Sequence, residues 1–340
     1  MKRSTMAVAA TLTVLAMPGR AWADQALDDA ARREGQVTWY VSQVPGDIAE
    51  QAGNAFTSLH PGLKVNVVRI TTQVAYQRVG LELQHRTPIC DVLSTTDIAH
   101  YKMLKQKGEL LKFAPPNAAG LKSVFQNFDP DGSYYPTYAG EVVLAYNTDK
   151  VMAADAPTNW KDLLNPKWKG KVTVGHPAFS GYAGTWVVMM KKLYGWSYLE
   201  LLEKNDPLVT RSIIDTVPYL NSGERWVAVS PSASVLESAD KGNPIAVVYP
   251  ADGAILMVAP TGVLAKAPHP NAGKLFVDFL LGPDYARIAV KSRGEALRQD
   301  VPALPGVKTI DQIRTIRATD IESIDGIPGV IEEWRDTFGG

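Results

Sequence analysis

Between Val37 and Gly108 short β-rich runs alternate with stretches of helical period, and that alternation confines the chain to an α/β sheet fold. Val37-Thr-Trp-Tyr-Val41 reads as a strand and Ser42 to Gly46 as a loop. Ile48, Ala52, Ala55, Phe56 and Leu59 follow at helical spacing, and His60-Pro61-Gly62 stops that helix. Leu63 to Ile70 is a second strand, Val74 to Gln84 a helix, Asp91-Val-Leu a strand and Ala99 to Gly108 a helix. Strands separated by helices pair in parallel, so the spacing predicts a mostly parallel sheet with helices on both faces.

The second half keeps this style without repeating the sequence. After the Asp129-Pro-Asp-Gly132 turn the pattern predicts a strand over Glu141 to Tyr146 and a short helix over Asn159 to Leu164. A strand follows over Lys171 to Val174, then an apolar helix over Tyr182 to Tyr194 just after Ser180-Gly181. Trp226 to Val229 and Ile245 to Val248 are further strands. Asn271 to Leu281 is an amphipathic helix with Leu275, Phe276, Phe279 and Leu280 on one side. A length of 340 residues suits about two domains. No Gly/Ser linker divides them, so the chain is expected to cross between two lobes more than once and to hold a ligand in the crevice.

The N-terminus reads as an export signal. Lys2 and Arg3 precede an uncharged apolar stretch, Met6 to Met17, and Ala21-Trp22-Ala23 is a small-x-small cleavage site. Twelve apolar residues fall short of the roughly 20 that span a bilayer. The expectation is a signal peptide over residues 1–23, cut after Ala23, and a periplasmic mature protein without a lipid-anchor cysteine. The leader holds three of the 35 basic residues and none of the 35 acidic ones, which leaves 32 against 35. With so little net charge and no long basic block, a nucleic-acid partner is excluded.

Signatures of catalysis are absent. The histidines at 60, 85, 100, 176 and 269 include no two at metal-ligand spacing, and GxSxG, P-loop and GxGxxG motifs are missing. Ser238-Ala-Asp-Lys241 has the SxxK spacing without its partner motifs and reads as a helix C-terminus. Cys90, the one cysteine, excludes an internal disulfide and a four-cysteine zinc site, and reads as a small buried apolar residue. No enzyme activity, resident metal or cofactor is expected.

Several segments resemble the ferric-ion and phosphonate-like branch of the periplasmic substrate-binding proteins of ABC importers. They are residues 56–65 (FTSLHPGLKV), 144–148 (LAYNT), 160–171 (WKDLLNPKWKGK) and 177–184 (PAFSGYAG), with 275–280 (LFVDFL) and Gly294-Glu295 near Arg298. The resemblance covers about residues 36 to 300. It implies a two-lobed type II fold, each lobe a mixed, mostly parallel sheet flanked by helices, with crossing strands as the hinge. On that plan lobe 1 is residues 24–137 with 250–340, and lobe 2 is 138–249. It also implies capture of a small solute and its delivery to an inner-membrane ABC permease.

The candidate ligand-binding residues are Ser42, Thr95, Thr96, Tyr138, Ser180, Gly181, Tyr182, Ser230, Tyr249 and Asp252. Ser180-Gly181-Tyr182 lies where a loop meets a helix N-terminus, whose unpaired N–H groups and dipole attract an anion. Ser180 also reads as a plain N-cap. Ser42 and Thr95-Thr96 follow strands, where ligands sit in open α/β sheets, and they also suit helix capping. Tyr138 is placed just before a strand, and Tyr249 and Asp252 near the return crossing; packing at the hinge and an Asp-Gly turn are the competing roles. Ferric-ion binders of the resembled family use a neighbouring Tyr pair in the second lobe, because hard Fe(III) favours phenolate oxygen. Here the matching span, Val227 to Ala233, holds Ser230 and Ser232 and no Tyr, and Ser42-Gln43-Val44 stands where a His is expected, so iron is disfavoured. Tyr134-Tyr135 is read as structural. A small anionic organic solute remains: phosphonate, phosphate ester or carboxylate. The alternatives are a ferric-ion carrier with a co-bound anion, an exported hydrolase, and a ligand-sensing partner of a membrane receptor.

Overall fold

The computed structural model describes residues 18–305, 307–317 and 320–339. The apolar stretch of the expected leader, 6–17, lies outside the described residues. The cut expected after Ala23 falls within the first helix, α1 (Pro18–Glu34). Then come β1 (Gln36–Val41), α2 (Gly46–Leu59), β2 (Lys64–Arg69), α3 (Thr72–His85), β3 (Val92–Ser94) and α4 (Ile98–Gln106). A long strand, β4 (Tyr135–Asn147), leads to β5 (Val172–Gly175), α5 (Gly181–Tyr194), α6 (Ser197–Glu203), β6 (Leu208–Thr210) and α7 (Thr216–Asn221). They are followed by β7 (Val227–Pro231), α8 (Ser232–Asp240), β8 (Ile245–Val248) and β9 (Ala254–Val263). The last elements are α9 (Pro270–Leu280), α10 (Pro283–Lys291), β10 (Thr315–Arg317) and α11 (Asp320–Phe338).

The strands run β2-β1-β3-β9-β4-β7-β5-β6, with β10 beside β9 and β8 beside β4. β1 pairs in parallel with β2 and β3 at one end, and β5 with β6 and β7 at the other. Two antiparallel strands join these halves. β4 pairs with β9 from Tyr135 to Val142, then with β7 and β8 up to Asn147. β9 meets β10 at Ala254–Leu256 and β3 at Thr261–Val263. This is a two-lobed α/β fold whose lobes share β4 and β9.

Tyr138 lies inside β4, a correction to its expected place before a strand. Pro136 lacks an N–H for the ladder, and the register shift between Pro136 and Tyr138 accommodates it, so the strand starts at Tyr135 instead of Glu141. The short helix after Asn159 is a single 3₁₀ segment, Trp160–Leu164, closed by an Asn159/Asp162 capping box.

Two acidic side chains, Asp91 buried and Glu34 half-buried, brace the first lobe. Asp91, fully buried, accepts hydrogen bonds from the Thr38 and His269 backbone N–H groups at 2.7 Å each and lies 2.9 Å from His269 Nδ1. Glu34 accepts from Asn271 and Ala272 N–H at 3.2 and 2.8 Å, which ties α1 to the N-terminus of α9. Trp39, Phe56 and Phe276 pack edge to face with ring centroids 5.1 Å apart. Cys90 is buried, with burial raising its thiol pKa. α11 packs on α5 and also reaches α4 of the first lobe; Trp196 Nε1 donates to Thr337 Oγ1 at 2.9 Å.

Candidate functional site

A crevice opens at the carboxyl ends of strands from both lobes and contains about 600 Å³ of space not filled by atoms, part of it open to solvent. Ser42 follows β1, Thr71 and Thr72 follow β2, and Thr96 follows β3. Opposite them stand Ser180 after β5, Ser212 after β6 and Ser234 after β7. This is the position in which open α/β sheets hold ligands.

Four helices begin at this crevice. Pro45 and Ile48 of α2, Thr71 and Thr72 of α3, Ser180 and Tyr182 of α5, and Ala233 and Ser234 of α8 all line it. Ser180 caps α5, its Oγ accepting from Ala183 N–H at 3.4 Å. The other three starts have no side-chain cap: Pro45 and Pro231 have nothing to offer, and the buried Thr71 hydroxyl bonds nothing. Unpaired N–H groups and four positive dipole ends therefore face one volume.

Hydroxyls line the floor. Ser42 Oγ lies 2.7 Å from Thr72 Oγ1, which lies 2.7 Å from Thr96 Oγ1. Arg69, at the end of β2, donates to the Val44 and Ile70 carbonyls at 2.8 and 3.2 Å; burial lowers its pKa while Asp215 across the crevice opposes that. Glu237 is the lining carboxylate, and Lys241 Nζ lies 2.7 Å from it. Tyr138 and Tyr182 close one wall: a Cβ placed on Gly140 would stand 3.6 and 3.8 Å from their hydroxyls. Burial raises both phenol pKa values. Behind them, burial pushes the Glu141 carboxyl up to about 7, against the pull of the Ser232 hydroxyl that donates to it at 2.6 Å.

Of the residues read from the sequence, Ser42, Thr96, Tyr138, Ser180 and Tyr182 line the crevice, and Gly181 packs against Thr96 at its edge. Four lie elsewhere. Thr95 turns inward, its N–H donating to Tyr101 Oη at 2.8 Å. Ser230 pairs with Thr216 under the sheet. Tyr249 stands beside Lys308, half-buried. Asp252 accepts from the Trp160 N–H at 3.1 Å and from the Tyr194 hydroxyl, so it anchors the Trp160 segment. Ser238 lies in the last turn of α8, where its hydroxyl donates to Asn221 and accepts from Asn243.

The sequence reading missed Gln43, Arg69, Thr71, Thr72, Ser212, Ser234 and Glu237. The end of β2 carries the same signal as the ends of β1 and β3, and reading it there would have found Arg69, Thr71 and Thr72. Glu237 is one acidic residue on a helix and has no such signal. Among the described residues no three His, Cys, Asp or Glu side chains are grouped to hold a metal, and no helix is long and apolar enough to cross a membrane.

Residues 87–310 match the family model described as bacterial extracellular solute-binding protein. The chain belongs to that family. Among relatives, the "Putative 2-aminoethylphosphonate-binding periplasmic protein" of Salmonella typhimurium is 24% identical over 316 residues, 88% of this chain and 87% of that protein. Iron uptake protein A2 of Synechocystis is 24% identical over 266 residues, 72% of this chain and 73% of that one. The solved periplasmic binding protein AfuA from Actinobacillus pleuropneumoniae, with fructose-6-phosphate bound, superposes with a TM-score of 0.81 at 22% identity, over 89% of this chain and 98% of that chain. Iron-bound HitA from Pseudomonas aeruginosa gives 0.74 at 21%, over 88% and 98%. Extracellular solute-binding proteins are non-enzymatic parts of transport systems, so this chain is a small-solute receptor.

Proposed function

We propose that this solute-binding protein is a periplasmic receptor for a small organic anion, a phosphonate or phosphate ester before a carboxylate. One observation carries the reading: four helix N-termini, three without a side-chain cap, converge on a hydroxyl-lined crevice. A tetrahedral anion has enough oxygens to accept from several of these donors at once. The names of the Salmonella relative and of the AfuA complex agree with that chemistry. Lobe 1, residues 24–137 with 250–340, and lobe 2, residues 138–249, close on the ligand through β4 and β9, and the closed form is delivered to an ABC permease. Export depends on the leader and its cut after Ala23.

Thermal shift against 2-aminoethylphosphonate, fructose-6-phosphate, citrate, spermidine and ferric citrate tests the proposal. A ligand at 100 times its Kd adds about 2.7 kcal/mol of stability. The phosphorus-containing anions should raise Tm. A rise with spermidine and none with the anions would overturn it.

A further inference from the structure

Arg69 ends β2 and is the one cation among the described residues that line the crevice. Its guanidinium is held from within its own lobe: Nε donates to the Val44 carbonyl at 2.8 Å and Nη1 to the Ile70 carbonyl at 3.2 Å. A guanidinium carries five N–H groups and always keeps its charge, so three donors remain. Nη2 bonds nothing among the described residues.

Arginines with a structural role look different in this fold. Arg298, buried, places Nε and Nη2 on the two oxygens of Asp300 at 2.7 and 2.9 Å, and Nη1 on the Asn117 and Leu281 carbonyls at 3.1 and 2.8 Å. Arg293 forks onto Asp240 at 2.7 and 2.8 Å. Arg69 forms no such ion pair among the described residues. The carboxylate that acts on it is Asp215, across the crevice, whose Oδ2 accepts from the Ser212 N–H at 3.0 Å. Glu237, the lining carboxylate, is engaged by Lys241 at 2.7 Å. Two carbonyls supply partial charges only. A half-buried cation is therefore left without a full counter-charge beside it, and burial works against its ionised form.

We infer that Arg69 is the charge-pairing, specificity-determining residue of the crevice: its remaining N–H groups take two oxygens of one phosphonate, phosphate or carboxylate group. This rests on the proposed anionic ligand and adds the residue that requires the ligand to carry a full negative charge. Helix N-termini and hydroxyls also serve a neutral oxygen. A guanidinium without a counter-ion does not, because a neutral ligand that displaced its water would leave the charge desolvated and unpaired. The Val44 and Ile70 carbonyls hold the side chain in place before the ligand arrives, so little of its freedom is lost on binding.

Calorimetry with methylphosphonate at low and high NaCl, on wild type, Arg69→Gln and Arg69→Lys, tests this. Losing a charge-assisted pair of bonds should weaken binding in Arg69→Gln by more than about tenfold and flatten the fall of affinity with salt. Arg69→Lys keeps the charge without the fork, so it should restore the salt dependence and part of the affinity. A residue that only braces the Val44 and Ile70 carbonyls would behave otherwise. Its loss would lower the Tm of the ligand-free protein and leave the salt dependence of binding as in wild type. That result, or unchanged affinity in Arg69→Gln, would overturn the inference. Wild type that binds no anion would remove the anionic ligand and the role of Arg69 together. Wild type and Arg69→Gln binding methylphosphonate equally would remove the role of Arg69 alone.

Discussion

Gly181 at the start of α5 and Thr96 after β3 approach so closely that a Cβ on Gly181 would stand 2.7 Å from Thr96 Oγ1 and 2.8 Å from its carbonyl oxygen. The two residues belong to opposite lobes. Real Cβ contacts are longer, and backbone cannot rotate aside as a long side chain can, so glycine is needed here for the lobes to meet.

Gly181→Ala should therefore resist closure. Forcing a methyl into a filled contact costs about 1–3 kcal/mol, a roughly 5- to 150-fold loss of ligand affinity. Stability without ligand should change less, because rotating the lobes apart about β4 and β9 would separate the two residues. Calorimetry together with the radius of gyration from small-angle scattering checks this. A variant that binds as tightly and closes as fully as wild type would show that the contact does not gate closure.

Ser180→Ala separates capping from binding. Ser180 Oγ accepts from Ala183 N–H and so stabilises α5, while its own proton is free to donate into the crevice. Removing the cap should cost about 1 kcal/mol of stability. Losing a bond to an anion should weaken binding by roughly tenfold or more. A lowered Tm with unchanged affinity would reduce Ser180 to a cap.

The first lobe was legible because its strands and helices switch period cleanly between Val37 and Gly108. β9 was not: Ala254 to Val263 is nearly all buried, so it lacks the alternation of a half-exposed strand, and Pro260 and Gly262 break the pattern further. Five lining residues of the crevice, Ser42, Thr96, Tyr138, Ser180 and Tyr182, could be read from the sequence. Tyr249 and Asp252 were misplaced for one reason: adjacency to a crossing strand does not say which face a side chain takes. Asp252 went to Trp160, the anchor of the most recognisable segment in the chain.

Ferric citrate should give no phenolate-to-iron visible band. The phenols that share the crevice are Tyr138 and Tyr182, not Tyr134, Tyr135 or Tyr249, and burial opposes ionisation of both. No cluster of carboxylates or imidazoles accompanies them among the described residues. A stoichiometric band that disappears in Tyr138→Phe or Tyr182→Phe would make them iron ligands and replace the organic anion as cargo.

The exported protein should begin at Asp24. Cutting after Ala23 leaves the anchors of α1 intact: Asp28 on Arg32 at 2.6 Å and His60 at 2.9 Å, and Glu34 on the start of α9. Intact mass of the periplasmic fraction checks the cut. Retention of residues 1–23 would reject it.

Glu141 gives stability a pH dependence of known sign. It lies on β4 at the lobe crossing, and burial raises its carboxyl to about 7, with Glu295 adding to the rise. Unfolded, it ionises near the ordinary value of 4.5. Below about 4.5 both states hold the proton, and its contribution is present in full. Between there and about 7 only the folded state keeps it, so stability falls as pH rises, by at most about 3 kcal/mol. Above about 7 the carboxylate is buried and the loss is complete. Glu141→Gln keeps an acceptor for Ser232 and never ionises. Urea unfolding should then show the variant near wild type at pH 4.5 and more stable at pH 8. Parallel pH profiles for the two proteins would mean that Glu141 ionises in the fold as it does in the open chain.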